Sequence, residues 1–544
     1  MSASSEGIAP NAKRLLFAGF MAILAAGVGY SVRGGILKLW ANEFGFTMTE
    51  LGNISGGGLT GFGLVIIFGA LLADKIGYGK LMVSAFVLHF ISAVVTLAAP
   101  WVFHTWGKAA AYDCLFWGMF IFAIGNGLCE AVVNPLTATL FPKNKTHYLN
   151  ILHAGWPAGL VLGSVASAFM SEKVDDAGAV ISAAVDWKIQ ISLFIVPVVI
   201  YGAMLIGQRF PKSEASQAGV SFGEMLGTIF APLMILLLLT HALVGYVELG
   251  TDSWIGKITG TIMGDPMKGL LLFSYTSMLM FILRFFAGPI VHRISPLGLL
   301  FAGACLGATG LTLLGSATTV MMCIVAATVY ALGKTFLWPT MLAVVSERFP
   351  KGGAVAIGML GAAGMLSAGL IGTPAIGFKQ DLHASAKLKE LSAETYGRYV
   401  ALNKEKKPDE KKFFWFKTEG LDGAKVGTLD DGGKELARVT QLIADGKQKA
   451  SEDHTALVGW WENAKKSATS AQDKVAKKAG KEVPKRDNDY VGAANMHGGQ
   501  NALRLTAYVP MILAVIYLLL ILGFKAKGGY KALSVSEEKA EESH

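Results

Sequence analysis

The stretch Gly125–Pro142, GNGLCEAVVNPLTATLFP, decides how this chain is read. It closes an apolar run that begins near Ala109, yet carries Asn126, Glu130 and Asn134 at successive i, i+4 positions. That spacing stacks the three on one helical face. A carboxylate within a helix of bilayer length costs about 2.5 kcal/mol or more, so such residues face a bundle interior or a water-filled path. Pro135 removes a backbone donor beside Asn134, which is tolerated where neighbouring groups re-satisfy the helix. The face therefore reads as the lining of a solute pathway, with a structural polar clamp between helices as the alternative.

The composition around that stretch agrees with a membrane setting. The chain has 544 residues, 53% hydrophobic and 16% charged, with a mean hydropathy of +0.48. Soluble domains carry about 25% charged residues. The formal charge of +9 is spread over loops and one polar insert, with no basic stripe of a nucleic-acid fold. Cys114, Cys129, Cys305 and Cys323 lie in apolar segments without metal-ligand spacing and read as packing residues. Residues 1–13 run directly into the first apolar helix without a cleavage site, so that helix is expected to stay as an anchor.

A span needs about 20 mostly apolar residues. Twelve segments qualify, near 15–40, 50–73, 80–100, 110–140, 147–170, 189–207, 222–257, 268–292, 297–317, 318–346, 352–377 and 503–524. The fold expected is an all-α membrane protein, with twelve transmembrane helices in two pseudo-symmetric six-helix bundles. The division is a first bundle at 1–207, a linker at 208–221, helices seven to eleven at 222–377, a polar insert at 378–502, helix twelve at 503–525 and a tail at 526–544. Lys and Arg crowd one set of short loops (Lys13, Arg14, Lys75, Lys80, Lys143, Lys145, Arg209, Lys212, Arg293, Arg348, Lys351), while Glu172, Asp175, Asp176 and Asp265 mark the other. Both termini are thereby expected in the cytoplasm and the insert outside it. Within the insert, 381–403, 434–450 and 453–480 read as amphipathic helices separated by turn-rich sequence with FFWF and DDGG.

The halves echo each other. Setting Asn134-Pro135 over Trp338-Pro339 aligns the fourth and tenth helices, and Glu130 falls on Lys334. Setting Gly29-Tyr30 over Gly245-Tyr246 brings Arg33 within one position of Glu248. Four deep charges, Arg33, Glu130, Glu248 and Lys334, thus occupy paired places and sum to zero. Unpaired charge at this depth is costly, so the four are expected to converge on a central cavity and neutralise one another, either as a gating network or as a static one. Asn150, His153 and Trp156 share a face of the fifth helix, His153 being a candidate proton carrier or a neutral hydrogen-bonding group. Asn126, Asn134, Asn150, Trp156, Tyr246 and Trp338 are the candidate solute contacts; Trp117 and Trp254 are weaker ones. The loop GALLADKIGYGK places Asp74 and Lys75 at a sharp turn, and RFFAGPIVHRISP places Arg284 and Arg293 at the corresponding turn of the second half, together a candidate conformational latch.

These residues resemble the major facilitator superfamily, whose loop signature runs Gly-x-Leu-Ala-Asp-Arg-x-Gly-Arg-Arg/Lys. Leu72, Ala73, Asp74, Lys75, Gly77 and Lys80 match it; Ala70, Tyr78 and Gly79 depart from it, and His292 stands where the second copy has an acid. Cys129-Glu130-Ala131 with Asn134-Pro135, FPKNKTHYLNIL before His153, and Arg284-Phe285 before Arg293 are similar to the fucose permease-like, proton-coupled sugar symporters. That resemblance implies a proton-linked carboxylate at Glu130. The first-helix acid of that family is missing here, Gly35 standing beside Arg33.

The expectation is a secondary transporter taking up a monosaccharide with protons by alternating access, monomeric in a cell inner (plasma) membrane, with no cofactor, metal or nucleic-acid partner. An organic-anion carrier gripping a carboxylate through Arg33 and Lys334 is the alternative, or a transporter-like receptor using the insert. No phosphate-binding loop points to a primary pump, and no nucleophile–base or metal set points to an enzyme.

Overall fold

A computed structural model describes residues 9–44, 46, 48–171, 173–174, 180–403, 405–446, 450, 452–479 and 487–542. Glu172, Asp175 and Asp176, three acids used in the orientation reading, lie outside the described residues. The apolar runs become twelve helices. The first six are α1 (Ala12–Phe44), α2 (Met48–Ile76), α3 (Tyr78–Leu97), α4 (Ala99–Leu140), α5 (Lys145–Met170) and α6 (Trp187–Leu205). The second six are α7 (Pro232–Ile262), α8 (Pro266–Arg284), α9 (Ala287–Leu314), α10 (Val320–Arg348), α11 (Pro350–Leu391) and α12 (Asp487–Ala526). All but α2 meet the length and hydropathy of a membrane span over their described residues.

Turn chemistry sets the ends. Gly107, at φ 84°, separates a short surface helix from the span proper of α4. Ser295, at φ 66° before Pro296, turns the chain between the eighth and ninth spans, so the first residues of α9 continue α8. Ser221 and Glu224 form a capping box on a separate surface helix, Phe222–Gly227, and α7 starts only at Pro232, later than the apolar pattern places it.

In lipid, helices associate through close packing rather than the hydrophobic effect, which favours small residues at contacts. A Cβ on Gly159 of α5 would stand 2.4 Å from the Leu24 carbonyl of α1. At the pseudo-equivalent contact of the second half, a Cβ on Gly245 of α7 would stand 2.0 Å from the Gly364 carbonyl of α11. The halves meet along α2 with α11, α5 with α8 and α5 with α10.

The helices run through the insert boundaries expected at 378 and 502. α11 and α12 are each about twice a span in length and pack antiparallel as a stalk beyond the bundle. Ser392 ends the stalk helix and caps the next, Ala393–Tyr399, by accepting from Thr395 N at 3.1 Å. The FFWF stretch is a hairpin of strands Glu410–Phe413 and Phe416–Glu419 rather than an irregular turn region. Leu388, Tyr396, Tyr399, Val400, Val491 and Ala494 give the insert a core of its own.

At the opposite end, the segment after α12 folds back. Tyr530 Oη donates to Glu347 Oε2 at 2.7 Å, Leu533 N to the Glu347 carbonyl at 2.8 Å, and Lys351 N to Glu538 Oε2 at 2.6 Å.

Candidate functional site

Two prolines build the centre of the molecule. In a helix the carbonyl of residue i accepts from the N–H of residue i+4, and proline has none. Pro157 therefore orphans the carbonyl of His153 in α5, and Pro339 orphans that of Thr335 in α10. One side chain satisfies both. Arg284, 1% exposed, donates from Nη1 to His153 O at 2.5 Å and from Nε to Thr335 O at 2.9 Å. Its Nη2 donates to Glu248 Oε1 at 3.0 Å. The buried guanidinium thus has a carboxylate and two freed carbonyls, the arrangement that makes a buried charge tolerable. Glu248 itself sits on a π-helical turn, Tyr246–Gly250, packed against a second such turn, Ala368–Gly372, in α11. Such turns recur at functional sites.

From the other half comes a second chain. Asn134 Nδ2 donates to Glu130 Oε2 at 2.6 Å, and Asn134 Oδ1 lies 2.8 Å from His153 Nε2. With the amide so oriented, His153 carries its proton on Nε2. Glu130, Asn134, His153, Arg284 and Glu248 therefore form one continuous polar connection between the halves. Phe62, Trp156, Trp338 and Met365 complete the walls around a cavity of about 30 Å³. That is room for a water or two and not for a sugar.

Lys334, fully buried, pairs with Asp252, one turn beyond Glu248, and lies over the Tyr330 ring at 5.2 Å. Asp252 is largely enclosed and holds this charge. Among the described residues no group of three His, Cys, Asp or Glu side chains is placed to hold a metal ion.

Comparison with known proteins gives this geometry a family. The model of the Major Facilitator Superfamily matches residues 19–373, well over half of the chain. The protein belongs to the major facilitator superfamily. No curated protein sequence matches it. Its fold is similar to that of FucP, a major facilitator transporter solved in the outward conformation, at 17% identity, covering 67% of this chain and 91% of that one, with a TM-score of 0.54. A second FucP structure, of a variant described as the E. coli fucose:proton symporter, matches at 16% identity, covering 66% of this chain and 91% of that one, with a TM-score of 0.52. The fold is also similar to that of XylE, described as a proton:xylose symporter, at 15% identity, covering 68% and 88%, with a TM-score of 0.55.

Within this superfamily fold, the four paired charges do not all meet. Arg33 points into the first bundle, where Nη2 donates to Ser92 Oγ at 3.1 Å and the guanidinium lies 3.6 Å over the Phe122 ring. Asn126 is there too, its Oδ1 2.9 Å from His89 Nε2, with His89 Nδ1 2.9 Å from Tyr201 Oη. The reason is helical drift: i, i+4 steps advance about 40° each, so Asn126 and Asn134 are about 80° apart. Glu248 and Lys334 pair with Arg284 and Asp252 instead of with each other's counterparts.

Arg284 is the largest displacement from its expected place. RFFAGPIVHRISP reads as the counterpart of the Asp74 turn, but the helix resumes at Ala287 and the turn comes only at Ser295, so Arg284 stands at the cavity and not at a latch. Arg293 is exposed near the true turn. Asp74 accepts from Ser213 Oγ at 2.6 Å, and Lys75 lies 4.4 Å from the Phe222 ring, so both face the linker region. Asn150 ties the halves below the cavity, donating from Nδ2 to Thr340 Oγ1 at 3.3 Å. On the same side Lys145 bonds Glu214 at 2.9 Å and the Ser346 carbonyl at 3.0 Å, and Thr146 donates to Glu347 at 3.1 Å. Tyr246 Oη accepts from Lys379 Nζ at 2.9 Å on the insert side of the cavity. Trp117 is exposed on the outer surface and Trp254 donates to the Thr373 carbonyl at 2.9 Å, so of the four tryptophans only Trp156 and Trp338 line the cavity.

Proposed function

We propose that this superfamily member takes up a monosaccharide with protons by alternating access, as a monomer in a cell inner (plasma) membrane with both termini in the cytoplasm. The observation that carries the reading is the polar connection from Glu130 to Glu248, assembled from both halves beside Trp156 and Trp338. The two carboxylates have different partners. Glu248 holds a guanidinium, so removing its charge would strand Arg284. Glu130 has a neutral amide as its hydrogen-bonded partner and can change protonation without breaking an ion pair. Glu130 is therefore the proton carrier, His153 and Asn134 its relay, and Asn134 with the two tryptophans the solute contacts, the indole faces covering a sugar ring while the amide bonds its hydroxyls. Asn150 stands where the halves meet at Thr340, and Tyr246 at the insert-side approach; Lys334 fixes α7 to α10 through Asp252.

FucP and XylE are described as sugar:proton symporters, which supports the solute class and the coupling. The geometry disfavours an organic-anion carrier gripping through Arg33 and Lys334, because Lys334 already holds Asp252 and Arg33 points into the first bundle.

Reconstituted vesicles with an imposed pH gradient test the reading. Sugar uptake that alkalinises the outer solution is expected, and it should vanish in Glu130→Gln. Carboxylate uptake with no response to any neutral sugar would overturn it.

A further inference from the structure

The insert holds a second, larger opening that the transport path does not use. It lies between the stalk end of α11, helix Ala393–Tyr399 and the hairpin, and encloses about 330 Å³, within the size range of small-molecule sites. Ser385, Lys389, Tyr396, Glu410, Lys417 and Glu419 line it. Ser385 is 5% exposed, and its Oγ has no hydrogen-bond partner among the described residues. Helix hydroxyls elsewhere in this chain fold back onto the carbonyl four residues earlier, as Thr240, Thr259, Thr312 and Thr506 do. A buried hydroxyl left without that bond costs free energy until a ligand or water meets it.

The charges around the opening cancel. Lys417 bonds Glu410 at 2.9 Å, Tyr396 Oη donates to Glu419, and Lys389 lies 5.2 Å from the Tyr396 ring. Two ammonium groups and two carboxylates give an ion no net attraction, yet they set donors and acceptors side by side. Vicinal hydroxyls, each donor and acceptor at once, match that wall.

We infer that the insert groove is a binding site for a neutral polyhydroxylated solute, which it holds beside the insert-side entrance of the bundle. The solute class deepens, and there rests on, the sugar-uptake reading; the site itself rests on the groove. Bound solute completes the Ser385 hydrogen bond and lies across Lys417 and Glu419 on the hairpin.

The test is photo-crosslinking of the purified full chain with diazirine-tagged D-glucose, D-xylose and L-fucose, followed by peptide mapping. Labelling within 382–389 and 410–419 is expected, competed by the free sugars and not by L-lactate or glycine. Ser385→Leu, which fills the groove, should abolish it. Should that variant misfold, Glu410→Ala with Lys417→Ala, at exposed positions, should cut it at least tenfold with the unfolding temperature unchanged. Labelling confined to the spans, labelling insensitive to competing sugar, or equal competition by lactate overturns the inference. Insert labelling in a protein that fails to take up sugar in vesicles sinks the transport reading and leaves this one standing.

Discussion

The two halves of the bundle handle buried charge in opposite ways. The second half pairs each buried cation with a carboxylate, Arg284 with Glu248 and Lys334 with Asp252. At the depth of these pairs the first half surrounds charge with neutral groups: Arg33 has one hydroxyl and aromatic faces, and Glu130 has an amide, while its Lys145, at the linker end, is paired with Glu214. A buried ion pair fixes geometry, since neither member can leave without stranding the other. A buried carboxylate met by a neutral dipole, as Glu130 is, can be neutralised by a proton with its surroundings intact. The contrast assigns rigidity to the second half and protonation chemistry to the first.

Arg284→Ala is expected to break that contrast most severely. It strands Glu248 and two carbonyls at once, so a loss near the top of the roughly 3–5 kcal/mol range for a broken buried pair is expected in denaturant titration of the solubilised protein. Adding Pro157→Ala returns to the His153 carbonyl a donor of its own helix, and the double variant should be less unstable than the sum of the two singles. Strict additivity would mean that Arg284 does not satisfy that carbonyl.

Next in size is Lys334→Ala, at about 3 kcal/mol, because Asp252 has water within reach more readily than Glu248. Lys334→Met with Asp252→Leu should recover most of this loss in the same titration, leaving an apolar contact between α7 and α10.

Glu130→Gln separates function from stability. The amide keeps a hydrogen bond to Asn134, so stability should change by no more than about 1 kcal/mol. Accumulation driven by a pH gradient should disappear, while sugar exchange at equal pH on both sides persists. Loss of exchange together with accumulation would remove Glu130 from the proton's path.

The smallest effect is expected for Arg33→Met. Nε and Nη1 of Arg33 are buried without hydrogen-bond partners among the described residues, so a flexible apolar chain of similar length removes an uncompensated cost along with one hydrogen bond. Unfolding should shift by less than about 1 kcal/mol in either direction. A large loss would place a charge requirement in the first half after all.

The architecture was legible because it depends on length and repetition: apolar runs of bilayer size, Asn134-Pro135 over Trp338-Pro339, and a polar stretch between the last two spans. The direction in which side chains point was not. The stripe Asn126, Glu130, Asn134 turns as it climbs, and its first member serves His89 inside one bundle while its last joins Glu130 to His153 behind the cavity wall. Matching RFFAGPIVHRISP to the Asp74 turn carried Arg284 to the latch, although the turn itself comes eleven residues later, at Ser295. The signal for Arg284 was present in the sequence as two prolines, each four residues beyond a carbonyl that must find another donor. It required asking where every backbone acceptor goes, not where the charges lie.

Glu347 has partners on both sides of the seam: Thr146 from the first half, and Tyr530 from the segment folded back behind α12. When the seam parts, Thr146 departs but the tyrosine travels with the glutamate. The carboxylate is chaperoned through the cycle, and opening that end of the bundle costs Glu347 one hydroxyl contact instead of leaving it a naked charge.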